Sequence, residues 1–242
     1  MVKKFNYNLI HWFTVAASIL GAVLSFWLFR DGMGIKNLLR PSHPAVILLA
    51  IVSILTVAAF LMFARKLPKD VPFKEFLPAN FLRGVGCFIG AIGFAYTCIT
   101  NASTADTLSL LALIMGVVGG VCLLFVGTQR LFGMDPHYLF YGLLTLFFMI
   151  QGLHRCRQWS SETQILMFLF PLMAQIFLLM TSCQFTFLSY GMPVIRSFGF
   201  YSCCAIFFCF VAFAATFDVF YLTCALWLLL DGCFFKIPEK KE

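Results

Sequence analysis

Long stretches without a charged side chain constrain this chain more than any other feature. No residue is charged between Arg83 and Asp106, or between Asp106 and Arg130. A helix needs about 20 apolar residues to cross roughly 30 Å of hydrocarbon, so each stretch supplies one crossing. The short connector Asn101-Ala-Ser-Thr-Ala-Asp106 joins them into a membrane hairpin. Composition agrees, because 62% of the residues are hydrophobic and 11% charged, where a soluble domain has about 45–50% and about 25%.

The remaining apolar runs extend this to about eight spans. The first runs from Ile10 to Phe29, with His11, Trp12, Trp27 and Arg30 marking its interfaces. No small-residue cleavage site follows it, so it reads as a span rather than a leader. Ser42 and Pro44 open the second, which ends near Phe63. Three prolines break the segment from Arg65 to Pro78, and Phe73, Phe76 and Leu77 among its charges predict a stretch lying along the membrane surface. The hairpin gives spans three and four. Asp135 as N-cap and Pro136 as first helical residue predict a fifth span to about Leu153, followed by a polar loop from His154 to Thr163. The 32 uncharged residues from Gln164 to Ile195 hold a sixth span to Cys183, kinked at Pro171, then a linker containing Tyr190 to Pro193. Ser197–Ala215 and Val219–Phe235 are the seventh and eighth. The predicted fold class is therefore an all-α, polytopic helical membrane protein with residues 1–242 as one integral membrane domain.

The end of the chain echoes the hairpin. Arg196 and Gly199 repeat the spacing of Arg83 and Gly86, and Thr216-x-Asp218 repeats Thr104-x-Asp106. The offset is 113 residues for the arginines and 112 for the aspartates. With the order of connections also matching, the pattern points to a parallel four-plus-four repeat of 1–130 and 131–242.

Gly86, Gly90 and Gly93 share one helical face, as do Gly116 and Gly120. In lipid such faces allow close van der Waals approach between helices, within the chain or with a protein partner or second copy. Membrane lipids are the other expected partner. The net charge of +7 sits at the ends of apolar runs, where topology accounts for it, and no basic run interleaved with aromatics predicts nucleic-acid binding. Nine of the ten cysteines fall in or beside apolar runs and read as packing thiols, with Cys156 in the polar loop. No metal or cofactor is predicted.

Few residues offer chemistry. Asp106 and Asp218 in tight turns, and Arg83 and Arg196 at span entrances, are interfacial charges that could hold a ligand or serve as helix caps and topology anchors. His11 and His137 open spans one and five. Asp231 interrupts an apolar run and needs a partner, with Arg83, Arg130 and Arg196 as candidates, unless it reaches the interface. Gln175 lies one turn beyond Pro171, whose missing N–H frees a backbone carbonyl, so these two are the candidate ligand contacts. No nucleophile, carboxylate pair or metal cluster predicts an enzyme. The expected function is a non-enzymatic sensor, regulator or subunit of a membrane complex; the alternative is a permease for a small apolar or amphipathic solute.

Lys and Arg number 12 in the segments on the side of the N-terminus and 5 on the other. That bias predicts a cell-membrane protein with both termini cytoplasmic. Reporter fusions after Thr163 and after Lys236 are expected to read outside and inside; a C-terminus found outside removes the eight-span topology.

Overall fold

The computed structural model describes residues 8–32, 43–68, 71, 73–100, 107–159 and 165–233. They form α1 (Asn8–Asp31), α2 (Pro44–Lys66), a short α3 (Phe73–Phe76), α4 (Phe81–Thr100), α5 (Thr107–Leu131), α6 (Tyr138–Trp159), α7 (Ile165–Ser189), α8 (Ile195–Thr216) and α9 (Val219–Leu228). A π-helical turn, Leu229–Cys233, continues α9. Seven of these helices are long and apolar enough to cross a membrane, and Val219–Cys233 is a shorter apolar one. The chain is an all-α polytopic membrane protein. The last two residues of the expected eighth span, 234 and 235, lie outside the described residues.

Contacts between helix ends show that the helices alternate in direction. Phe13, early in α1, packs on Phe60 and Phe63, late in α2. His11 Nδ1 lies 3.2 Å from Cys233 Sγ at the end of the π turn. We call this end, where α1 begins, proximal. At the distal end Phe26 of α1 meets Phe217, just beyond α8.

Helix α8 is the centre of the bundle. It packs against α1, α2, α7 and α9, and 72% of its span is buried against 17% for α2. A helix that is apolar all round belongs inside. The run Ser202-Cys-Cys-Ala205 is buried and its side chains are small, so neighbours can approach. Phenylalanines fill the space between α4, α6 and α9, where Phe94, Phe147, Phe148 and Phe220 meet with centroids 4.3 to 6.4 Å apart.

The glycine faces act within the chain. A Cβ added at Gly86 would lie 2.8 Å from Leu230 Cβ, and one at Gly90 would lie 3.1 Å from Leu123 Cδ1 and Trp227 Cβ. One at Gly93 would collide with Thr223 Oγ1. Thus α4 uses its glycines to seat α9 as well as α5. On α5 the close positions are Gly116, 2.7 Å from Cys98 Sγ, and Gly119, 2.6 Å from Phe94 Cε1. Gly120 meets only ordinary contacts, the nearest at 3.5 Å.

Several boundaries differ from the sequence expectation. Helix α6 begins at Tyr138, with His137 Nδ1 accepting from Leu139 N, and runs through His154 to Trp159. The expected cap, Asp135, instead pairs with Lys74 at 2.7 Å. That hydrogen bond and charge hold the Lys74 ammonium above its ordinary range. Helix α7 continues through Pro171 to Ser189 rather than ending at Cys183. In the proline-broken segment Phe76 and Leu77 are fully buried in the bundle, not laid on a surface. The helices at corresponding places also differ in one neighbour: α7 packs on α6 and α8 of its own half, whereas α2 packs on α1 of its own half and on α8 of the other.

Replacing Gly90 by Leu is expected to destabilise the detergent-solubilised protein by roughly 1–3 kcal/mol, because a large side chain is forced into a filled contact. Gly120→Ala should melt with the parent or slightly above it, since alanine favours helix by about 0.5–1 kcal/mol. Equal losses for both would mean that the α4–α9 contact is not the tight one.

Candidate functional site

The strongest concentration of buried charge lies at the proximal end. Asp231 sits on the π turn, and such turns often mark sites where a helix must present a group out of regular register. Its partner is Arg130, in the last turn of α5: Arg130 Nε stands 3.6 Å from Asp231 Oδ1, with both side chains 0% exposed. Asp231 therefore does not reach the interface. Water cannot screen either charge there, so each needs its counter-charge and its hydrogen bonds from protein.

Arg130 obtains them from three other elements. Nη1 donates to the Leu77 carbonyl at 2.8 Å and Nη2 to Tyr141 Oη of α6 at 3.4 Å. Its guanidinium also lies over the Phe73 ring, 5.0 Å from the centroid. Asp231 Oδ2 accepts from Cys87 Sγ of α4 at 3.7 Å. One arginine and one aspartate thus join α3, α4, α5, α6 and the end of α9. Gly86 allows this, because its backbone lets α4 approach the turn that carries Asp231.

Arg83 is buried close by, near enough to feel the charges of Asp231 and Arg130, and its own charge reaches His11. Arg196 belongs elsewhere. Its Nε donates to the Leu67 carbonyl at 2.7 Å, where it closes the C-terminal end of α2. His11 and His137 are engaged separately, with Cys233 Sγ and with Leu139 N.

A second network occupies the distal end. Asp218 caps α9 by accepting from Phe220 N at 3.0 Å. The same carboxylate accepts from Arg155 Nη2 at 2.7 Å. Arg155 Nη1 donates to Tyr221 Oη at 2.8 Å, and its guanidinium lies 5.2 Å and 4.9 Å from the Phe220 and Tyr221 centroids. Tyr221 Oη in turn donates to the Pro171 carbonyl at 3.4 Å. Pro171 therefore contributes its carbonyl to a protein contact between α7 and α9. Asp106 lies outside the described residues.

Gln175 is 2% exposed, and its Nε2 donates to the Phe148 carbonyl of α6 at 3.0 Å. Among the described residues its Oε1 has no hydrogen-bond partner. All ten cysteines are free thiols and seven are buried; Cys156 is exposed on α6 rather than in a loop. No group of three His, Cys, Asp or Glu with metal-binding spacing occurs among the described residues.

The sequence offers Arg130 as one of three candidate partners for Asp231 and leaves Arg155 among the charges of a loop. A signal for Arg130 was present: Gly116, Gly120, Leu123, Gly127 and Arg130 follow one another at three- and four-residue intervals, so the arginine continues the small-residue face of α5. Arg155 was hidden by ending the fifth span at Leu153.

Removing one partner of the buried pair should cost more than removing both. Arg130→Met leaves Asp231 buried and unpaired and is expected to cost about 3–5 kcal/mol, while Arg130→Met with Asp231→Leu recovers most of that loss. Thermal unfolding in micelles measures it; strictly additive losses would mean that the two side chains act independently. No family model matches the chain, and no curated protein or solved structure matches it, so its reading rests on these contacts.

Proposed function

We propose that this protein is a non-enzymatic component of the cell membrane, acting as a sensor, a regulator or a subunit of a membrane complex. The observation that supports this reading is where its charges are engaged. Arg130 with Asp231, Arg155 with Asp218, and Arg196 with the Leu67 carbonyl each join the ends of different helices. Ion coupling or acid–base catalysis needs a group that exchanges its partner during turnover. Here the same groups serve as fasteners, and they hold a bundle whose outer faces remain apolar.

A partner would meet those outer faces. The glycines of α4 and α5 are occupied inside the chain, so α2, whose span is 17% buried, offers the widest surface to lipid or to another protein. Arg65 and Lys66 end α2, and Lys74, Arg83, Arg130 and Arg196 gather at the same proximal end. This asymmetry favours a cytoplasmic proximal end, with both termini inside. The seven long helices have 20 to 25 residues, about 30–38 Å at 1.5 Å per residue, which suits the thicker hydrocarbon of a plasma membrane.

Gln175, buried midway along α7, supports a second reading as a permease for a small apolar or amphipathic solute. Gentle solubilisation of the tagged chain from its own membrane, followed by cross-linking and mass determination, separates the two. A reproducible stoichiometric partner cross-linked to α2 or the proximal end is expected. A lone chain that passes solute in proteoliposomes would replace this reading with the permease.

A further inference from the structure

Among the described residues, buried polar atoms without a hydrogen-bond partner occur near the proximal end, as at Arg130 Nε and Asp231 Oδ1, and also in the middle of the bundle. Gln151 of α6 is 1% exposed, and among the described residues neither its Nε2 nor its Oε1 has a hydrogen-bond partner. Gln175 adds one more unpartnered atom, its Oε1. A buried amide without partners loses hydrogen bonds that water would have given it, a cost of about 1–3 kcal/mol for each group by protein mutational data. Lipid offers no replacement.

The two amides face the same part of the bundle. Gln151 lies between Phe148, three residues before it, and Arg155, four residues after it, on one stripe of α6. Phe148 stacks on Trp227 with centroids 6.4 Å apart, and Arg155 reaches Tyr221 Oη at 2.8 Å. That stripe therefore faces α9 between Tyr221 and Trp227. Gln175 is held against the same turns of α6, by its bond to the Phe148 carbonyl and by packing that would place a Gly152 Cβ 3.3 Å from its Cγ. Their depths agree as well. Gln151 is eight residues from the distal end of α6 and Gln175 ten from the distal start of α7, about 12 and 15 Å along the helices.

We propose that Gln151 and Gln175 form a binding site, at the junction of α6, α7 and α9, for a small uncharged molecule that both donates and accepts hydrogen bonds. Two carbonyl oxygens and one NH2 group define what it takes: two donors and an acceptor, as in a primary amide, a urea, or water. A net charge would be uncompensated, since Arg155 and Asp218 already neutralise each other toward the distal end. Phe148 and Trp227, stacked on each other, border the site on its apolar side. The site holds whether the protein is a regulator or a permease, because it rests only on the two amides and their surroundings.

Electron cryo-microscopy of the full chain in nanodiscs, with mass spectrometry of the denatured extract, tests this. Density bridging the two amides is expected in the parent and absent in Gln151→Leu. An organic amide recovered from the parent, and depleted at least tenfold from the variant, identifies a solute; oxygen-sized density with nothing recovered identifies water. If Gln151→Leu does not fold, Gln175→Met serves instead. Parent density showing both amides bonded to helix carbonyls, with nothing between them, overturns the site.

Discussion

Burial of charge where no water can reach it is the constraint on which this structure depends. In a soluble protein the end of a helix bundle can leave arginines and aspartates in solvent. Here Arg130 and Asp231 are both wholly enclosed, and in such surroundings the geometry of the partners decides whether a charge is tolerable. Arg130 meets that demand through the fixed fork of its guanidinium, which reaches the Leu77 carbonyl, Tyr141 Oη and Asp231 at once. A lysine could not reproduce this, because its ammonium is a single point rather than a planar fork. The proximal end is therefore specified by a few directional contacts, whereas the middle of the bundle is specified by shape.

Shape is what the glycines provide. Hydrocarbon is as apolar as leucine, so helices gain little from the hydrophobic effect when they associate in a bilayer and depend on close packing. Gly86 and Gly90 let α4 lie against Leu230 and Trp227, and Gly127 faces Cys87 Cβ at 3.2 Å from an added Cβ. The two devices are linked, since without the close approach at Gly86 the turn carrying Asp231 could not sit between α4 and α5. Packing sets the distance, and the ion pair fixes the register.

Much of this was legible in the sequence and some was not, for physical reasons. Apolar run length and the prolines gave the helical class and most crossings, because hydrocarbon thickness sets a minimum length whatever the side chains do. Asp231 was legible as a charge needing a partner. Its partner was narrowed to Arg83, Arg130 and Arg196 but not chosen, since an arginine at a span end looks the same whether it snorkels to lipid headgroups or turns inward. Helical phase distinguishes the two, and the face that Arg130 shares with Gly116 and Gly127 carries that signal. Gln151 was hidden by depth instead: a span closed at Leu153 places it near an interface, where an amide is unremarked. The Thr-x-Asp echo has a local explanation in its second copy, because Asp218 caps α9 and Thr216 Oγ1 accepts from Asp218 N at 3.3 Å. That local role accounts for the second copy without a common origin, and residues 101–106, which hold the first, lie outside the described residues.

Near the ends Arg130, Arg155 and Arg196 each reach a carbonyl, a carboxylate or a tyrosine, and the helices they join could not separate without exposing them. In the middle, Gln175 joins α7 to α6 by one hydrogen bond to the Phe148 carbonyl, and three amide atoms of Gln151 and Gln175 have no partner among the described residues. Leucine at either position would fill similar volume without that penalty, so the two amides are not explained by packing. A polar group that weakens the fold where it sits, inside an otherwise apolar layer of Phe148, Phe220 and Trp227, has its physical rationale in something that completes its hydrogen bonds. Those unmet hydrogen bonds are what support the proposed site at the junction of α6, α7 and α9.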